Sequence, residues 1–211
     1  MKSKIFELKN IRIEISFKSF DELRLILSFF LENDLCKINI PCKNTLKKEF
    51  LLDSIKIARK EFPSIDLIPH FSIFHEFKRN RLNTLRSFSE FSQTVNDLGC
   101  KEILLVSGSQ KRSTLDSAST LNYLKDNNLS SNSSLSIGVA FNPYLPSILF
   151  EKEILKLEKK LQSGFVTSIW MQFGTDSSLL ESRIEILKKI ISMTKKSYPK
   201  NKNINLFGSI L

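Results

Sequence analysis

The chain has 211 residues, of which 41% are hydrophobic and 26% charged, with a formal net charge of +10. That is enough for one domain with a substantial core, and too apolar for a disordered chain. No apolar run approaches the roughly 18 residues of a membrane span, and Glu7, Lys9, Arg12 and Glu14 interrupt the N-terminal segment, which argues against a signal peptide.

Apolar and amphipathic segments alternate from end to end. Ile11–Ile15 reads as a strand, and Asp21–Leu31 as a helix with Ser19 or Asp21 at its N-cap. Lys37–Pro41 reads as a short strand, Thr45–Phe62 as a helix stopped by Pro63, and Asp66–Pro69 as a strand ending in His70. Arg81–Leu98 reads as a helix closed by Gly99. Glu102–Val106 is the fourth strand, followed by Ser-Gly-Ser and a helix over Ser113–Lys125. Asn127–Ser134 is a polar connection, whose two sequons at Asn128 and Asn132 carry no meaning in a cytoplasmic protein. Ser136–Ala140, Glu151–Gln162, Ser168–Phe173 and Ser178–Lys195 then read as strand, helix, strand and helix, and Asn203–Phe207 begins a seventh strand.

Short strands alternating with longer helices predict βαβ units around a parallel sheet. The strands read as near-continuous apolar runs, the pattern of a sheet covered on both faces. About seven strands and six helices predict one domain over residues 1–211, a (β/α)8 barrel lacking its last helices and eighth strand. The three cysteines, Cys36, Cys42 and Cys100, lack metal-ligand spacing and read as free thiols in a reducing cytoplasm. With two histidines besides, they offer no metal cluster. The positive charge is scattered along helices and interleaved with Glu and Asp, so it reads as solvated helix faces and not as a nucleic-acid surface. No GxGxxG, P-loop, GxSxG or HExxH motif is present.

One stretch carries a family resemblance. SIGVAFNPYLPS is followed by the charged helix EKEILKLEKKLQSG and then by SIWMQFGTD. In order and spacing this resembles methylenetetrahydrofolate reductase, a flavin-dependent barrel enzyme. The resemblance implies FAD as a noncovalent cofactor, NAD(P)H as reductant and a folate substrate in one-carbon metabolism. It implies Glu14 as the general acid, with a pKa raised by partial desolvation, and Gln172 as the folate-reading amide. It places His70, Gly108, Ser109, Phe141, Glu153 and Lys160 around the cofactor. Asp176 matches a further family aspartate. Ser107 and Ser109 stand where the family carries an Arg and an Asp, and Leu145 replaces a polar contact. That departure leaves a second expectation beside the enzyme, a non-catalytic barrel or partner subunit that binds folate or flavin. Family members often associate, and an open barrel needs covering, so a homo-oligomer is an open expectation.

Gln172 also draws attention by itself. An amide within WMQFG reads as a buried polar group in need of partners. Trp170 reads as core, and His75 as structural or exposed.

Overall fold

The computed structural model describes residues 11–42, 48–74, 81–108, 115–126, 135–197 and 204–208. The expectations for Ser109, His75 and the Asn127–Ser134 connection lie outside these residues. The described elements alternate strictly: β1 (Ile13–Glu14), α1 (Phe20–Glu32), β2 (Lys37–Ile40), α2 (Lys48–Glu61), β3 (Asp66–Ser72), α3 (Arg81–Asp97), β4 (Glu102–Val106), α4 (Ser117–Asp126), β5 (Ser136–Phe141), α5 (Ser147–Gln162), β6 (Val166–Met171), α6 (Ser177–Ser197) and β7 (Asn205–Phe207).

Every strand pairs in parallel with its successor, in the order β1-β2-β3-β4-β5-β6-β7. Consecutive parallel strands joined by helices define the (β/α) barrel architecture. The sheet curls on itself: the guanidinium of Arg12, just before β1, lies 6.0 Å from the ring of Trp170 on β6.

Local sequence explains the element ends. Ser19 caps α1 by accepting a hydrogen bond from the Glu22 N–H at 3.1 Å, and the Glu22 carboxylate accepts from the Lys18 N–H at 2.6 Å. The last turn of α3 is closed by Gly99 at φ +79°. There the Cys100 N–H donates to Val95 O at 3.1 Å and the Gly99 N–H to Asn96 O at 2.8 Å. Asp176 caps α6 through the Leu179 N–H at 2.8 Å, which gives that aspartate a local role.

The main core lies between the sheet and its helices. Ile38 and Ile40, Phe71 and Ile73, Ile103 and Leu105, Ile137, Val139 and Phe141, and Ile169 point outward from the strands into it. Leu23 and Leu27 of α1, Ile55 of α2, Phe88 and Phe91 of α3 and Leu157 of α5 meet them, each almost wholly buried. Burying one such side chain stabilises by roughly 1.5–3 kcal/mol.

The other face of the sheet differs from the expectation. The strands are not apolar on both faces. Arg12, Glu14, Asn39, His70, Ser72, Glu102, Ser168 and Trp170 share the inner face with Leu104, Val106 and Ala140, so the lumen mixes polar and apolar side chains. Two boundaries move with consequences for the site. β3 runs on through His70 to Ser72, and β6 ends at Met171, one residue before Gln172.

Candidate functional site

Parallel register assembles the lumen in tilted rows. Glu14 pairs with Asn39, and Asn39 with Ile68. One row higher, His70 pairs with Leu104, Leu104 with Gly138, Gly138 with Ser168 and Ser168 with Asn205. Above these, Ser72 pairs with Val106, and Trp170 with both Ala140 and Phe207. Ascending these rows leads to the C-terminal ends of the strands, the end at which barrel enzymes place their chemistry.

The lower part of the lumen is filled by a hydrogen-bonded cluster. The Glu102 carboxylate accepts from the Ser168 hydroxyl and from Trp170 Nε1 at 3.3 Å, and Trp170 Nε1 also lies 2.8 Å from Ser168 Oγ. Gly138 makes the room: a Cβ there would lie 2.6 Å from Ser168 Oγ and 2.7 Å from both Glu102 Oε1 and Trp170 Nε1. Trp170 stacks on Phe207 with ring centres 4.2 Å apart. Arg12 closes the opposite side, paired with Asp66 and donating to Ile38 O and Asp66 O, each at 2.9 Å.

A cavity of about 630 Å³ opens above this floor, lined by Glu14, Asn39, His70, Leu104, Val106, Ala140, Trp170 and Gln172 among others. Its wall carries polar atoms left over from folding. Asn39 Oδ1 and His70 Nε2 on this wall are buried and find no hydrogen-bond partner among the described residues; Ser72 Oγ is likewise unpartnered but lies off the lining, toward Gly108. Asn39 is 6% exposed, His70 7% and Ser72 1%. Buried polar atoms are ordinarily paired, and each orphan costs about 1–3 kcal/mol. Two on adjacent strands facing one cavity, at the working end of a barrel, are explained by a ligand that supplies the missing partners. Burial pushes the His70 imidazole down to about 4, so it is neutral near pH 7.

The residues expected from the resemblance do not converge on one surface. Glu14, His70 and Gln172 do line the cavity. Glu14 is exposed, so the desolvation expected of a general acid is not seen at its position. Gln172 is exposed as well: the strand ends before it, so the argument from a buried amide fails. Trp170 is not core but half-buried in the lumen. Phe141 points the other way, into the sheet–helix core, where its ring meets Phe150 at 6.0 Å. Lys160 and Glu153 also lie on the helix side. Lys160 Nζ donates to Ala140 O at 3.0 Å, and Glu153 accepts from the Asn142 N–H at 3.4 Å. Burial pulls the Lys160 pKa down, partly opposed by the charges of Glu153 and Asp116. Gly108, at φ +89°, is pressed against the Phe74 side chain, with Ser72 Oγ 3.4 Å from where its Cβ would be. Ser107 bonds locally to Ser117, accepting from its N–H at 3.0 Å. A flavin and a nicotinamide were expected only through the resemblance, and these positions test neither.

Asn39, which lines the cavity, was not among the expected site residues. A signal for Asn39 existed in Lys37-Ile-Asn-Ile40, where polar and apolar residues alternate with the period of a strand that has one polar face.

Comparison with solved structures agrees with the fold. A dihydrodipicolinate synthase from Agrobacterium tumefaciens superposes with a TM-score of 0.63 at 9% identity, over 96% of this chain and 71% of that one. A 2,3-dimethylmalate lyase of the PEP mutase/isocitrate lyase superfamily gives 0.59 at 8% identity, over 95% and 74%. A chain of the tryptophan synthase complex from Pyrococcus furiosus gives 0.54 at 11% identity, over 95% and 87%. No family model matches the chain, and no curated protein does. Identities this low establish the barrel fold alone.

The reductase resemblance is corrected by these findings. The neighbouring barrels are lyases and synthases, and neither the family nor its flavin-dependent folate reduction is supported. The physical reason lies in the matched stretch itself. Gly164, at φ +80°, serves the turn after α5, Lys160 caps a strand carbonyl, and the Lys- and Glu-rich helix presents a solvated face. Any βα unit of a barrel can meet those demands with similar residues.

Among the described residues, no helix is long and apolar enough to cross a membrane, and no group of side chains could hold a metal ion. Cys36 and Cys100 are free thiols.

Proposed function

We propose that this chain is a (β/α)-barrel enzyme acting on a small polar molecule held at the C-terminal mouth of its lumen. The observation that carries this reading is the pair of buried, unpartnered atoms Asn39 Oδ1 and His70 Nε2 at one cavity. The cavity falls in the size range of small-molecule sites, with an aromatic and aliphatic wall and a few convergent polar groups. His70 and Glu14 have distinct parts. The neutral imidazole can donate or accept one hydrogen bond at Nε2 without bringing charge into the site. The exposed carboxylate of Glu14 can take a proton from, or hold a donor of, the same bound molecule. The structural neighbours are named as lyases and synthases, which supports a barrel enzyme without fixing the reaction.

The test is thermal stabilisation of the intact chain by a panel of small polyols, amines, carboxylates and phosphate esters. At least one class should raise the melting temperature of the wild type and leave the Asn39→Leu and His70→Phe variants unmoved. A panel without effect, or one that stabilises all three proteins equally, would refute the site.

A further inference from the structure

We propose that the mouth selects a small organic cation, an amine, over a carboxylate. This rests on the reading of the mouth as a binding site and names the ligand class it takes.

The argument begins from a mismatch of charge. The whole chain carries a formal +10, yet its lumen does not share that excess. Among the described residues lining the cavity, the single cation is Arg12. It is already paired with Asp66 and bonded to two backbone carbonyls. Two carboxylates remain: Glu14 at the cavity wall and Glu102 beneath the floor. His70 is neutral near pH 7 and offsets neither. A concave site with low-dielectric walls focuses such a field, so the mouth attracts cations although the protein as a whole repels them.

The unpartnered atoms agree independently. Asn39 Oδ1 can only accept a hydrogen bond, and His70 Nε2 can do so as well. An ammonium group offers three donors and no acceptor. It would satisfy Asn39 Oδ1 while facing Glu14, its neighbour in register on β1. A carboxylate placed there would instead face Glu14, and would find Arg12 already engaged.

Titration calorimetry on the intact chain at pH 7 and low salt decides this with three probes of one length: 1,4-diaminobutane, butane-1,4-diol and succinate. The diamine should bind at least about tenfold more tightly than the diol, the scale of one charge-assisted hydrogen bond, and succinate should bind weakest. Glu14→Gln, a change at an exposed position, should remove most of the diamine's advantage over the diol. Added salt should weaken the diamine and not the diol. If succinate binds more tightly than the diamine and Asn39→Leu abolishes it, the mouth stands as a site and the choice of cation is overturned. If the diol and diamine bind equally, the same holds. If no probe binds, or if binding ignores Asn39→Leu, both readings fall together.

Discussion

The guanidinium of Arg12 stands 6.0 Å from the centre of the Trp170 ring, so β1 and β6 face each other across the lumen. Trp170 is held in turn by Phe207 on β7 and by Ser168 and Glu102. The cavity therefore has a rigid polar floor, and the orphan atoms of β2 and β3 sit beside it with nothing below them to reach.

That floor depends on Gly138. A Cβ at this position would come within 2.7 Å of three side-chain atoms of the cluster, a distance at which something must move. Gly138→Ala should destabilise by about 1–3 kcal/mol, the usual range for overpacking. It should also change the emission of Trp170, the one tryptophan of the chain. Urea denaturation followed by fluorescence measures both, and an unchanged midpoint with unchanged emission would show that the floor is loosely packed.

Acid should weaken the fold through His70. Its imidazole sits at about 4 in the folded chain against an ordinary 6.5, with burial as the cause. Between those values the unfolded chain binds the proton and the folded chain does not. Stability is thus whole above about pH 6.5 and is lost as pH falls toward 4, by about 3 kcal/mol over the window. His70→Gln removes this dependence, so the difference between wild type and variant should be flat above pH 6.5, and below it the wild type should lose stability relative to the variant. Parallel pH–stability curves for the two proteins would contradict the burial of a neutral His70.

Lys160 should prove structural. Its ammonium is buried and donates to Ala140 O from the helix side of β5. Lys160→Met keeps the aliphatic stem and loses the hydrogen bond and charge, at a cost of about 1–3 kcal/mol. Ligand affinity at the mouth should change less than twofold. A large loss of affinity at unchanged stability would return Lys160 to the site.

Arg183 pins the loop that leads from β5 into α5. It is buried, donates to Pro143 O and to Leu145 O at 2.6 Å, and lies 3.8 Å over the Phe150 ring. Arg183→Met should cost about 2–3 kcal/mol, because two charge-assisted bonds are lost. Limited proteolysis should then cut within residues 142–146. Resistance equal to the wild type would show that the loop is held by other contacts, such as that of Tyr144 with Gly174.

The element order was legible in the sequence because strands and helices differ in period and length, and Ser19, Gly99 and Pro63 punctuate them. The lumen was less legible. Glu102-Ile-Leu-Leu-Val reads as an apolar run after its first residue, and only the curl of the sheet separates its inner from its outer residues. Pro69 and His70 resembled a strand end, yet β3 continues through them, since a proline at that position faces no demand for its missing N–H that ends the strand. Gln172 looked buried because Phe173 was counted into the strand; the pairing stops at Met171, and the amide faces solvent. Phe141, Glu153 and Lys160 were assigned by resemblance alone, and a strand's alternation sent Phe141 to the opposite face.

The most direct measurement is long-range ¹H–¹⁵N NMR of the two histidine side chains, with His75→Gln to assign His70. The account predicts a neutral His70 imidazole throughout pH 5–8, whose Nε2 resonance shifts when a small polar ligand enters the mouth. A His70 that titrates near 6.5 and ignores every ligand that binds the chain would contradict it.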